Sequence, residues 1–510
     1  MSGKNREFIS FEPTIMGIII KQSVRGAFWS YLGIGIGYIN VGIIMPQFFD
    51  TAQVGLVQIF ISLSLILSQF STLGFTSVIN RMFPVFRNSV RQHHGFLFLA
   101  LVTATIGFAL STAGFFLLKP WIVDSNLHKS PLLVDYLYLL LPLVLMRLLF
   151  TLLDNYNKVL YDAVTGTFWL EFMHKAINLI LIVLFAFGWI SFRSFFVGYV
   201  LSMSMPVLPL VFVLRQRKQL HLRPDRAFLT APVRRDLSSV MLFGFVNGLA
   251  AILLVNIDKL FVNQYLSLHE VGIFGVCALF ATLIKVPFNA VSKISTGIIA
   301  ESWKSNDVSN IRNIYQKSAL HQAIFGTLIF TGLLVNLHNI FRILPPVYSS
   351  GKWVLIIYSA GMLGVTILGM ASIITETSRH FRFSTLFLFL SILAQLLLGL
   401  WLVPRYGITG AAVATISTLL LNAILQALLQ HIAFKISGLS SRLLWVMGFG
   451  VVGFLAGNFV PELPLIADVV VRSGIVTLLY GLMVYFSGIS PETNRLIHRG
   501  LQAVNPTRNR

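Results

Sequence analysis

Arg147, Lys175, Lys285 and Lys293 stand inside stretches of sequence that are otherwise apolar. A charge there is expensive unless it pairs or meets water. Lys285, Asn289 and Lys293 recur every fourth residue, with Ser292 and Thr296 beside them, so one helix face carries a ridge of donors. Such a ridge has to face protein or water. Tyr136, Arg147, Thr151 and Asp154 make a second polar stripe, in which Arg147 and Asp154 are two turns, about 10 Å, apart. Arg147 is placed to hold an anion such as phosphate, or to pair with a neighbouring helix. Asp154 is placed to titrate during ion coupling, or to reach the cytoplasmic interface. Glu171 precedes Lys175 by four residues, the order that closes an intrahelical ion pair, so Lys175 is neutralised there or serves as a ligand. Asp258 adjoins Lys259, which offers an interfacial pair or a coupling carboxylate; Arg25 opens the first apolar run, beside either a cavity mouth or anionic headgroups. Lys293 lies near enough to a span end to snorkel to the headgroups.

These groups suit binding and not bond breaking. His93 and His94 lie in a loop without metal-ligand spacing, and no Gly-x-Ser-x-Gly elbow supports hydrolysis. No phosphate loop of the type GxxxxGK[ST] occurs. Cys277 is the single cysteine, so no disulfide or cysteine-based metal site is available. The reading is therefore a non-enzyme with no cofactor and no metal.

The elements that position these residues follow from composition. Of 510 residues, 11% are charged and 56% hydrophobic, against about 25% charged in soluble proteins. Soluble multidomain enzymes, secreted disulfide scaffolds and disordered chains are excluded; an all-α polytopic membrane protein remains. At about 20 residues per crossing, spans are expected near 22–45, 54–75, 95–118, 135–154, 168–188, 194–214, 238–257, 271–299, 319–341, 353–374, 383–403, 408–432, 443–460 and 469–488. That is about 14 transmembrane helices.

The net charge of +20 would suggest nucleic acid in a soluble protein. Here it follows the positive-inside rule instead. With the N-terminus inside, most of the 38 Lys and Arg residues fall in cytoplasmic loops, above all Arg215, Arg217, Lys218, Arg223, Arg226, Arg234 and Arg235 in the long connection 215–236. Pairs such as Arg379 and Arg382, or Arg495 and Arg499, fall on the same side. Both termini are expected in the cytoplasm, and Met1 to Ile20 reads as a retained end. All eight tryptophans sit near expected span ends, where headgroups suit the indole. No connection is long enough for a catalytic or nucleotide-binding domain.

Val54-Gly55 and Val271-Gly272 enter the second helix of each half at an offset of 217 residues. With six spans between the copies, this implies a parallel repeat about the membrane normal. The segment Asp258 to Phe274, which reads DKLFVNQYLSLHEVGIF, resembles the seventh-to-eighth helix signature of the polysaccharide flippases of the multidrug/oligosaccharidyl-lipid/polysaccharide exporter superfamily. Val54-Gly55-Leu56 with Leu73-Gly74-Phe75 resembles that family's opening pattern. Pro404-Arg405-Tyr406-Gly407-Ile408-Thr409-Gly410-Ala411-Ala412 is similar to its Pro-x-Tyr-Gly-Ile-x-Gly-Ala-Ala stretch.

The resemblance implies two pseudo-symmetric six-helix lobes around a central cavity: an N-lobe and loop at 1–236, a C-lobe at 237–432, and two extra helices with a cytoplasmic tail at 433–510. It implies a multi-pass inner-membrane transporter that flips a lipid-linked oligosaccharide, a polysaccharide or O-antigen precursor on a polyprenyl diphosphate, to the outer leaflet by alternating access. Membrane lipids and polysaccharide polymerase machinery would be its neighbours. On that reading Arg147, Lys285, Lys293, Lys175 and Arg25 are cavity cations, Asn289, Thr151 and Tyr136 are cavity polar groups, and Asp154 and Asp258 are coupling carboxylates. A cation-coupled multidrug exporter and a membrane-embedded polymerase or ligase are the alternatives; the first should show an acidic cavity, the second a long outer loop.

Overall fold

The computed structural model describes residues 12–225 and 227–495. Arg226, Arg499 and residues 1–11, which enter the charge sorting, lie outside the described residues. Among the described residues, thirteen helices are long and apolar enough to cross a membrane. They are α1 (Val24–Phe48), α2 (Thr51–Ser71), α3 (Gln92–Asn126), α4 (Pro131–Val159), α5 (Val164–Ala186), α6 (Phe192–Gln216), α7 (Ala231–Tyr265), α8 (Leu268–Lys304), α9 (Val308–Val335), α10 (Pro346–Leu368), α11 (Phe381–Phe434), α12 (Ser441–Asn458) and α13 (Leu465–Phe486).

The helix α11 resolves the difference between thirteen and the fourteen expected spans. Its 54 residues would run about 80 Å as one straight helix, far beyond a hydrocarbon layer of about 30 Å. It breaks at Gly407, whose φ of 58° and ψ of −140° form a backbone conformation that only glycine adopts easily. Two crossings result, matching the spans expected at 383–403 and 408–432. The chain is thus an all-α, multi-pass membrane fold.

The chain forms two compact units, residues up to Gly272 and residues from Ile273 onward. In the first unit α2 packs against α4, α3 and α7. The backbone N–H of Asp50 donates to Gln53 Oε1 at 3.2 Å and closes the start of α2. The repeat detected in sequence becomes a physical contact here. A Cβ at Gly55 would strike the carbonyl of Leu268, and one at Gly272 would strike the carbonyl of Thr51, so two backbones cross where neither tolerates a side chain. Thr51 Oγ1 also meets His269 Nδ1. Nearby, Ser130 Oγ donates to Asn263 Oδ1 at 2.9 Å, and Asn263 Nδ2 donates to Asn126 Oδ1 at 2.7 Å. This polar chain ties the α3–α4 turn to the end of α7.

In the second unit α9 is central, packing against α10, α12 and α13. The turn joining α12 to α13 is held by one arginine. Arg472 Nε donates to Asp468 Oδ2 at 2.8 Å, Nη1 to the carbonyl of Gly457 at 2.9 Å and Nη2 to that of Val460 at 2.8 Å. Asn339 Nδ2 donates to the same Asp468 oxygen at 2.6 Å. The structure buries Arg472 as the clamp of this hairpin. Removing one partner of a buried ion pair costs about 3–5 kcal/mol. Arg472→Ala is therefore expected to lower the melting temperature of the detergent-solubilised protein markedly, and Arg472→Lys, which keeps charge but loses the fork, to fall between it and the parent.

Candidate functional site: a polar cavity in the first unit

The first unit encloses a cavity of 250 Å³ between α1, α4, α5 and α6. Its polar lining is Asn40, Arg147, Glu171, His174, Lys175, Asn178 and Tyr199. A second cavity, of 140 Å³, is lined by Arg147 and Thr151 among apolar side chains, including Leu65 and Phe150. Arg147 thus borders both.

Local backbone features make room for this cavity. Gly33 and Gly37 sit one turn apart on α1. A Cβ at Gly33 would collide with the carbonyl of Glu171, and one at Gly37 would lie 3.3 Å from Lys175 Cδ. These small residues bring α1 against α5 and leave a groove for the lysine stem. Both helices carry a π-helical turn at this level, Ile39–Ile44 in α1 and Phe168–Met173 in α5. Such turns recur at functional sites because they redirect side chains and loosen the backbone ladder. Asn40 Nδ2 donates to the carbonyl of Lys175 at 2.8 Å, which joins the two distorted segments. Its Oδ1 is buried with no protein partner among the described residues.

The cavity wall has graded electrostatics. Lys175 Nζ pairs with Glu171 Oε2 at 2.8 Å, as the four-residue spacing predicts. Arg147 has a weaker partner: its Nη1 donates to Ser64 Oγ at 3.0 Å, a neutral acceptor. His174, Asn178 and Ser202 form a buried cluster, with Ser202 Oγ donating to Asn178 Oδ1 at 2.8 Å and lying 3.2 Å from His174 Nδ1. The arrangement offers an incoming anion the guanidinium of Arg147, with amide and hydroxyl groups alongside.

The other sequence-singled residues are placed as follows. The Thr151 hydroxyl donates to the carbonyl of Arg147 at 2.8 Å and lines the smaller cavity. Tyr136 lies outside both cavities; its ring packs edge-on against Phe192 and Phe196, at centroid distances of 5.7 and 5.0 Å. A 3₁₀ turn at Leu137–Leu139 separates it from Arg147. Its tighter winding shifts the helical phase, so a stripe drawn at 3.6 residues per turn does not continue through it. Asp154 is buried and pairs with Lys158 at 2.5 Å, beside Gly166. Asp258 is buried in α7, its Oδ1 accepting from the N–H of Lys259 at 2.8 Å. Arg25 is exposed on α1.

In the second unit Lys285, Asn289 and Lys293 are exposed along one face of α8, as their spacing predicts. A 3₁₀ turn at Thr282–Lys285 precedes Pro287 in α8. Lys285 makes no ion pair among the described residues.

His174, Asn178, Asn40, Tyr199 and Ser64 were missed in the sequence. The first two had a signal: Glu171, His174, Lys175 and Asn178 follow the i, i+3, i+4, i+7 pattern of one helix face. Asn40, Tyr199 and Ser64 stand alone in apolar runs and join the site only through packing.

The class defined by this architecture is a multi-pass helical membrane protein, with fourteen apolar crossings among the described residues and a polar cavity inside its first unit. Solved structures share the fold. A lipid II flippase MurJ in an inward closed conformation superposes with a TM-score of 0.71 at 12% identity, covering 92% of this chain and 98% of that one. An inward-facing multidrug resistance MATE family transporter of the MOP superfamily gives 0.62 at 15% identity, covering 80% and 94%. A MATE structure in the straight conformation gives 0.56 at 14%, covering 82% and 96%. No protein-family model and no curated protein matches the sequence.

The packing makes a discriminating expectation. Gly33→Leu places a branched side chain into the α5 backbone and should destabilise the protein by about 1–3 kcal/mol. Gly35→Leu, where a Cβ meets nothing within 4 Å, should leave the melting temperature close to the parent's. Thermal unfolding of the two variants in the same detergent checks this.

Proposed function

We propose that this chain is a transporter that flips a lipid-linked oligosaccharide from the cytoplasmic to the outer leaflet of the inner membrane by alternating access. The observation that carries the reading is Arg147, an arginine held inside the membrane by a neutral serine and bordering two cavities. The barrier to flipping is the passage of sugar hydroxyls and a charged phosphate linkage through hydrocarbon. A guanidinium presented to a polar cavity lowers that barrier by offering the phosphate a charge-assisted, two-pronged hydrogen bond. Lys285, Asn289 and Lys293 on the second unit supply further donors, and Lys175 joins when its pair with Glu171 opens. The MurJ relative is named as a flippase of lipid II, which supports a lipid-linked cargo; a polyprenyl diphosphate carrier fits the cationic set.

In this mechanism no bond forms or breaks. Binding orients the phosphate at the cations, the sugars occupy the polar wall, and the lipid tail stays in hydrocarbon. An ion gradient or the membrane potential drives the cycle. Asp154 and Asp258 are the carboxylates available for coupling, although Asp154 is tied to Lys158. The multidrug exporter reading has one supporting observation, the likeness to MATE transporters. An organic cation needs unpaired acidic groups, and the cavity carboxylate Glu171 is already paired with Lys175.

Arg147→Ala should cut export of the surface glycan by roughly ten- to a hundredfold, the loss of one charged hydrogen bond worth about 1.5–3 kcal/mol, with membrane insertion intact. Lys285→Ala should weaken export less. Glycan export normalised to protein level in the membrane fraction measures both, and normal export in both variants contradicts the cavity assignment.

A further inference from the structure

The connection between α6 and α7 is basic in sequence and anchored in structure. His93 Nε2 lies 2.9 Å from Gln219 Oε1, and His94 Nδ1 lies 2.7 Å from Asp225 Oδ2. The His94 ring also stacks on Phe228 with a centroid distance of 3.8 Å and an interplanar angle of 16°. The hydrogen bond from His94 holds the Asp225 carboxyl below the usual carboxylate range. At Gly95, where φ is +69°, a Cβ would run into the carbonyl of Arg223. The loop backbone is therefore fixed at the point where α3 enters the membrane.

One consequence is unusual for a polar connection. Leu222 from this loop caps an apolar groove of 380 Å³ on α3, whose other walls are Phe98, Leu101, Val102, Thr105 and Ile106. These five follow one face of the helix, and Phe98 to Ile106 spans about 12 Å, within one leaflet of a hydrocarbon layer about 30 Å thick. The single hydroxyl in the wall is spent, since Thr105 Oγ1 donates to the carbonyl of Leu101 at 2.9 Å. The groove accepts hydrocarbon and nothing that needs a hydrogen bond. Arg223 follows Leu222 directly in the chain, is exposed, and has its backbone carbonyl against Gly95 at the start of α3; Arg217, earlier in the same connection, is engaged by Asp162 at 3.3 Å.

We propose that this groove seats one anionic phospholipid, an acyl chain lying along α3 under Leu222 and the headgroup phosphate at Arg223. The occupant follows from the two halves of the site: a leaflet-deep apolar channel and a basic rim, the combination that recognises anionic lipid headgroups at a membrane surface. The seat is separate from the cavity at Arg147 and serves a resident lipid, not the transported cargo.

Native mass spectrometry of the delipidated full chain, titrated with dioleoyl phosphatidylglycerol or dioleoyl phosphatidylcholine, tests it. One phosphatidylglycerol should bind with at least about fivefold preference over phosphatidylcholine, the gain expected from one basic residue near the headgroup. Arg223→Gln should abolish the preference while retaining chain binding. Leu222→Ser, and independently Ile106→Trp, which fills the groove from the opposite wall, should weaken both lipids, while Arg147→Ala changes neither. Equal binding of the two lipids by the parent overturns the proposal, as does unchanged binding in both groove variants. Displacement by millimolar inorganic phosphate would make the rim a free-anion site and overturn it too.

Discussion

Hydrocarbon solvates no charge, and several ionisable residues inside this fold are arranged around that constraint. Three buried or half-buried pairs satisfy it within a single helix at four-residue spacing: Lys158 with Asp154, Lys175 with Glu171, and Arg472 with Asp468. Such pairs leave little net charge to interact with anything else, and Arg472 is further consumed by the carbonyls of Gly457 and Val460. Arg147 is different. Its hydrogen bond goes to a serine hydroxyl; it makes no ion pair among the described residues, and it borders both cavities. That asymmetry separates the cations that pair within their own helix from Arg147, on which the proposed transport role rests.

A polar cavity inside a membrane bundle also needs helices that approach closely on one side so that they can part on another. Glycine supplies the approach. Gly33 and Gly37 press α1 onto α5, and Gly55 and Gly272 cross backbone to backbone. The two π-helical turns flanking the cavity are the local cost of this arrangement, and they turn Asn40 and Lys175 towards each other. Small residues, distorted turns and Arg147 meet around this cavity.

Much of this was legible in the sequence. The number of crossings, the Glu171–Lys175 pair and the shared face of Lys285, Asn289 and Lys293 all follow from helical periodicity and residue chemistry, which local structure obeys. The matching Val54-Gly55 and Val271-Gly272 pairs were visible too, but not that their glycines meet. Periodicity failed where the helix itself departs from 3.6 residues per turn: the 3₁₀ turn at Leu137–Leu139 removes Tyr136 from the stripe that contains Arg147. Arg472 drew no reading from the sequence, because a lone arginine near a span end looks the same whether it faces headgroups or closes a turn. The cluster of His174, Asn178 and Ser202 needed tertiary packing to assemble, since its third member comes from another helix.

The central claim is that the cations of this fold carry an anionic, lipid-linked glycan across the membrane. The direct measurement is the leaflet distribution of lipid-linked oligosaccharide in cells depleted of the protein. The account predicts that the lipid-linked glycan accumulates on the cytoplasmic leaflet and that restoring the parent chain, but not Arg147→Ala, clears it. An unchanged distribution on depletion would contradict the account.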